Sequence, residues 1–145
     1  MARLGSRAPY VLMALALAGL SVAFYDSYAI YNAETLWCPP PVDGCNVVAA
    51  SPYARIFGLP IGYYGLVYYA GMLGLAVLAG CDRSSRALAA AAILYAGVGV
   101  LCSAYFLYVQ VGFIHAFCIY CAISGITTVL LLVAALACRR AVSGG

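Results

Sequence analysis

The sequence predicts an all-α integral membrane protein, a bundle of four transmembrane helices capped by an outer loop and a short helix. Three observations predict it. Hydrophobic residues make up 67% of the 145-residue chain and charged residues only 8%. An ordinary soluble domain has roughly 25% charged residues, so this chain lacks the polar groups to cover a water-facing surface, and lipid is its natural solvent. Four apolar runs have the length of a membrane span, and the arginines are segregated to their connections.

The runs extend from about Pro9 to Ile30, Ile61 to Gly80, Ala87 to Val109 and Phe117 to Cys138. At 1.5 Å per residue, about 20 residues of helix cross a hydrocarbon core of about 30 Å. Lipid offers the backbone no hydrogen bonds, so each run is expected to be helical. Small residues (Gly71, Gly74, Ala89 to Ala92, Gly97, Gly99, Gly125) recur in the runs and permit close helix packing in lipid. The first run resembles a signal peptide in having Arg3 and Arg7 before it. It is longer than a typical h-region and no small-x-small cleavage site follows, so an uncleaved helix is expected.

All seven basic residues are Arg. Arg3 and Arg7 precede the first run, Arg83 and Arg86 lie between the second and third, and Arg139 and Arg140 follow the fourth; only Arg55 lies on the other side. This asymmetry predicts a multi-pass cell-membrane protein with both termini in the cytoplasm. The segment 31–60 and a short turn near 112–116 then face outside. A net charge of +3 indicates no nucleic-acid surface. Residues 1–145 read as one domain, without internal repeats.

Within the outer segment, Cys38-Pro-Pro-Pro-Val-Asp-Gly-Cys45 is excluded from regular helix by three prolines and a glycine. From Asn46 to Phe57 the apolar positions Val47, Val48, Tyr53, Ile56 and Phe57 suit a short helix on the membrane face, interrupted or kinked at Pro52.

The chemistry lies in the cysteines. Cys38, Cys45, Cys118 and Cys121 fall on the outer side, Cys81 and Cys138 on the inner side, and Cys102 within the third helix. Cys118-Ile-Tyr-Cys121 is a C-x-x-C at the start of the fourth helix, and spacing of three puts both sulfurs on one face. A helix N-terminus stabilises negative charge and eases ionisation of a thiol there, which suits a redox dithiol. Chance packing of small apolar cysteines is the competing reading. Cys38 and Cys45, on a loop exposed enough to meet another protein, read alone as a structural staple. With the second pair on the same side, they also suit thiol–disulfide exchange. A zinc site built from all four is the alternative use, but C-x6-C with three prolines does not look like a zinc knuckle, and no metal is expected.

In order along the chain stand Cys38 and Cys45, Ser51 six residues later, Leu59-Pro60-Ile61-Gly62 opening the second helix, and Cys118-Ile-Tyr-Cys121 opening the fourth. This arrangement resembles the vitamin K epoxide reductase family in its prokaryotic form, over about residues 9 to 138. The DsbB-type bundle fits less well, because its C-x-x-C belongs to the first outer loop. The resemblance implies a membrane thiol:quinone oxidoreductase supporting disulfide bond formation. Its loop pair accepts electrons from a thioredoxin-like (DsbA-like) protein, and its helix pair passes them to a quinone of menaquinone or ubiquinone type. Carried over by position, Cys38 faces the partner, Cys45 exchanges with Cys118, Cys121 reduces the quinone, and Ser51 sits over the quinone pocket. Some prokaryotic members carry a fused thioredoxin-like domain; this chain ends at Gly145, so a separate partner is expected. Mammalian members have a tyrosine four residues after the second C-x-x-C cysteine and an asparagine near the start of the second helix. Gly125 and Pro60-Ile61 stand there instead, favouring plain quinone reduction over epoxide reduction.

His115, three residues before Cys118, suits stabilising a thiolate or relaying a proton to the quinone pocket; an interfacial histidine facing water is the alternative. Asp26, near Tyr25 and Tyr28, reads as a solvated interfacial acid. Cys81, Cys102 and Cys138 read as bystanders. Against the enzyme stands a small structural or transport bundle with a stapled outer loop and an inert C-x-x-C.

Overall fold

The structure, a computed structural model, describes residues 2–41 and 44–144. Val42 and Asp43 of the proline loop lie outside the described residues. Among the described residues the α-helices are α1 (Ala2–Tyr31), α2 (Cys45–Ala50), α3 (Ile61–Cys81), α4 (Arg86–Val109) and α5 (Ile119–Ser143). Among the described residues four spans are long and apolar enough to cross a membrane: Arg7–Tyr31, Ile61–Cys81, Arg86–Ile114 and Ile119–Ser143. Large apolar side chains such as Val67, Leu94 and Leu101 stand exposed on them, as expected where lipid is the solvent. The fold is an all-α four-helix membrane bundle.

The core is built from small side chains meeting a few large ones. Leu12 and Ala16 of α1, Tyr69, Met72 and Ala76 of α3, Ala92 and Ala96 of α4, and Leu131 and Ala135 of α5 form one buried cluster. Gly19 lies under the Tyr69 ring, where a Cβ would overlap it. Such close approach is what holds helices together in lipid, where burial from water gives no drive. α1 packs mainly on α3 and α5, and α4 on α5, while α3 and α4 meet more sparsely.

Helix ends depart from the sequence expectations at two places. α4 ends at Val109 as expected, but the chain continues as a π-helical turn, Gln110–Ile114, before it reverses at His115 (φ 53°), within the expected turn near 112–116. Val111, Phe113 and Ile114 continue the apolar run, so only a tertiary contact marks its end. The fourth helix begins at Ile119, with Cys118 as its extended N-cap, rather than at Phe117.

The expected helix over 46–57 is shorter. α2 ends at Ala50, because Pro52 holds Ser51 extended (φ −71°, ψ 151°). A 3-10 turn, Pro52–Ala54, and a tight hairpin follow, pairing β1 (Arg55–Ile56) with β2 (Leu59–Pro60). Phe57 and Gly58 turn it with φ of 51° and 80°, positive at both central residues as in a type I′ turn. The Tyr64 hydroxyl donates to the Ile56 carbonyl at 2.8 Å, tying the hairpin to α3.

The cap is fastened by hydrogen bonds. Asn46 accepts from the Leu36 N–H at 2.8 Å and donates to the Leu36 carbonyl at 3.1 Å, replacing a strand partner. The Tyr120 hydroxyl donates to the Trp37 carbonyl, which joins the loop to α5.

Candidate active site

The N-terminus of α5 organises the site. The Cys118 N–H donates to the Gln110 side-chain oxygen at 3.1 Å, and Ala122 makes the first helical bond back to the Cys118 carbonyl at 3.1 Å. Cys121 lies in the first turn, so both sulfurs stand at the end of the helix where N–H groups are unpaired. Cys118 is buried, yet its thiol is held below the ordinary thiol range. The Cys121 thiol hydrogen-bonds to it, burial opposes, and the N–H groups of Cys121 and Tyr120 add to the lowering, while the Asp26 charge opposes it. The arrangement therefore favours a thiolate at Cys118.

Cys38 and Cys45 are joined as a disulfide with Cα atoms 6.2 Å apart, whereas Cys118 and Cys121 are free thiols. The sequence predicts a loop pair exposed enough to meet another protein. The structure corrects this: Cys45 is 1% exposed and Cys38 is half-buried. The cause is the packing of α2 on the bundle, where Cys45, Val48 and Leu36 share a buried cluster with Ala29 and Cys118, and Cys38 and Cys121 pack against it. All four cysteines thus meet at one end of the bundle.

Beside them is a cavity of about 300 Å³ reached by all four spans and by the segment after α2. Its wall is mostly apolar, including Val22, Ile61, Val98 and Phe106, with Cys121 on it. The polar groups are few: Asp26, Gln110, Ser103, Ser124, Thr128 and the tyrosines. An apolar chamber with sparse, placed polar groups suits a ring carrying two carbonyls and an apolar tail. Tyr68 fits that purpose. Its hydroxyl oxygen is buried with no hydrogen-bond partner among the described residues, and its ring stacks on Tyr95 at 5.0 Å. The neighbouring Tyr69 hydroxyl is already bonded to Ser124. Among the described residues no group of three His, Cys, Asp or Glu side chains is placed to hold a metal.

Two sequence expectations find no support in this geometry. Ser51 does not line the cavity, although Tyr53 and Ala54 do; its hydroxyl turns back to the Val48 carbonyl at 2.7 Å and closes α2. His115 stands exposed at the left-handed turn, away from the cavity wall and not among the groups acting on the Cys118 sulfur.

Three residues read otherwise from the sequence, or not singled out, belong to the site. Asp26 is not a solvated interfacial acid: it is half-buried and faces the cavity. Cys102 lies on the cavity wall rather than apart from it. Gln110, 2% exposed, positions Cys118. Asp26 carried a signal, being the one acid inside a span; Gln110 carried none, because only the chain reversal brings it to Cys118. Cys81 and Cys138 are both free thiols, unpaired with each other.

A sequence model of the vitamin K epoxide reductase family matches residues 10–136, nearly the whole chain.

Proposed function

Because the chain belongs to the vitamin K epoxide reductase family, whose members are membrane oxidoreductases, we propose that it is a thiol:quinone oxidoreductase that relays electrons through two cysteine pairs. The observation carrying this reading is the shared cluster of Cys45 and Cys118, with Cys121 on the cavity wall. A thioredoxin-like partner's dithiol reduces the Cys38–Cys45 disulfide and leaves as a disulfide. The Cys45 thiolate attacks Cys118 in a Cys118–Cys121 disulfide, forming a Cys45–Cys118 bond and releasing Cys121 as a thiol. Cys38 then attacks Cys45 and releases Cys118. The depressed thiol of Cys118 makes it a good leaving group in that step. Two electrons now reside on Cys118 and Cys121, and a quinone of menaquinone or ubiquinone type takes them from the cavity.

The Tyr68 hydroxyl is the donor available to a quinone carbonyl. Hydrogen bonding within α2 is the better role for Ser51, and solvation of the turn the better role for His115. The arginine asymmetry supports cytoplasmic termini, with the relay on the opposite side of the membrane, where disulfides are made in secreted proteins.

The test is the redox state of each cysteine in membranes with and without quinone. Quinone supply is expected to convert the Cys118–Cys121 dithiol to a disulfide. A pair that stays reduced when quinone is abundant returns the protein to the structural or transport reading.

A further inference from the structure

We propose that Asp26 is the acid that supplies the second proton when the quinone is reduced, an inference that rests on the quinone reading above. Two-electron reduction of a quinone consumes two protons. A fully protonated dithiol would bring both, but the Cys121 thiol and the N–H groups of α5 favour the ionised form of Cys118. The reacting pair then carries two electrons to give and only one proton.

The bonds balance once Asp26 takes part. A Cys118 thiolate, a Cys121 thiol, a quinone and the Asp26 carboxylic acid become a Cys118–Cys121 disulfide, a hydroquinone and an Asp26 carboxylate. The S–H of Cys121 and the O–H of Asp26 break; one S–S bond and two O–H bonds form. The two sulfurs are oxidised and the quinone is reduced. Asp26 regains its proton from the aqueous side before the next turnover.

Geometry places this acid where the step needs it. Asp26 is the only Asp or Glu within the four spans, and an acid within a span is a functional candidate by default. It lines the cavity together with Cys121, near enough to Cys118, Tyr120 and Cys121 for its charge to act on all three. An apolar cavity admits a carboxyl group as the neutral acid. The carboxyl accepts no hydrogen bond from the described residues, and the adjacent Ser27 hydroxyl is occupied by the Ala23 carbonyl at 2.7 Å. Gly62 of α3 makes room for it: a Cβ there would lie 2.7 Å from Asp26 Oδ2 and 2.6 Å from Ser27 Oγ. An acid serving only to solvate the end of α1 would need no such recess.

The experiment uses the full chain in detergent, a soluble short-tailed quinone and a chemical dithiol. Asp26→Asn is expected to slow oxidation of the Cys118–Cys121 dithiol by quinone about a hundredfold or more, the range for a lost general acid, with little change in KM. Asp26→Glu restores most of the rate. The wild-type quinone step slows as pH rises through loss of the Asp26 proton, and Asp26→Asn removes that decline. The titratable groups on which the Asp26 charge acts are Cys118, Tyr120 and Cys121 at the head of α5, and Tyr64, Tyr68 and Tyr69 of α3 and Cys102 of α4 line the same cavity; a decline surviving Asp26→Asn assigns it to one of these groups and overturns the proposal. Exchange between the loop pair and the helix pair, followed by trapping the Cys45–Cys118 bond in a Cys38→Ser background, stays intact. An Asp26→Asn rate within twofold of wild type, a parallel loss of exchange, or no rescue by Glu also overturns the proposal. A wild-type dithiol that quinone does not oxidise overturns the function reading, and this inference with it.

Discussion

The backbone N–H of Cys118 donates to the side chain of Gln110 at 3.1 Å, so the residue that opens α5 is anchored by the residue that closes α4. The same Gln110 accepts the Ala116 N–H at its own carbonyl, 3.3 Å away. One buried residue therefore sets the reversal between the two helices and the position of the redox dithiol. Gln110→Leu leaves the Cys118 N–H buried without an acceptor, at a cost of roughly 1–3 kcal/mol. A lower melting temperature in detergent, with slower alkylation of Cys118 in the molecules that remain folded, is the expected outcome. An unchanged melt would show that the bond contributes nothing.

Cys121 acts on Cys118 through its thiol, the largest cause of the lowering of Cys118. Cys121→Ala removes that donor, so the Cys118 thiol rises toward the ordinary range. The thiolate form exists above the folded value and is lost as pH falls through it. The alkylation-rate profile of Cys118 therefore moves to higher pH in the variant, and its rate near neutral pH drops. By the same sign, ionised Cys118 contributes stability that is present at high pH and lost as pH falls through its depressed value, and Cys121→Ala reduces it. The variant also fails to deliver electrons to quinone while its loop pair still reacts with a thiol partner. A profile that does not move would assign the acidity of Cys118 to the helix terminus alone.

Cys38 is the residue that frees Cys118 from Cys45 in the proposed relay. Cys38→Ser is expected to accumulate a Cys45–Cys118 disulfide, seen by non-reducing peptide mapping. Mapping that joins Cys45 to a different cysteine would rewrite the order of transfer.

Tyr68 has a buried hydroxyl with no partner among the described residues, which costs roughly 1–3 kcal/mol in the protein without ligand. Tyr68→Phe should melt at or above the wild-type temperature, yet raise the KM for quinone about tenfold through loss of one hydrogen bond. A lower melting temperature together with an unchanged KM would mean that the hydroxyl serves the fold and not the ligand.

The arginine pattern predicts which side of the membrane the relay faces. With the protein reduced in sealed vesicles of known orientation, an impermeant thiol reagent from outside the cell should reach half-buried Cys38 before exposed Cys81. Buried Cys45 should lag behind Cys38. Labelling of Cys81 first would invert the topology and make cytoplasmic thiols the electron source.

Much of this protein was legible without coordinates, because a membrane imposes strong rules on a sequence. A chain with 8% charged residues has one solvent available to it, and a helix is the one local structure that satisfies its backbone there. The four spans, and the C-x-x-C at the head of the last, followed from that constraint. What remained hidden depended on contacts between distant parts of the chain. An apolar run does not state which of its faces meets lipid and which meets a neighbour, so the inward turn of Asp26 beside Gly62 was not visible. Nor was the burial of Cys45, because loop composition reports flexibility and not what the loop packs against. The third span runs past Val109 to Ile114 through apolar residues that continue the pattern, and Cys118, which Gln110 anchors, lies across the reversal. Sequence alone determined the membrane, the helices and the reactive residue types; tertiary packing decided which acid, amide and hydroxyl surround them, because those distances arise only when the helices meet.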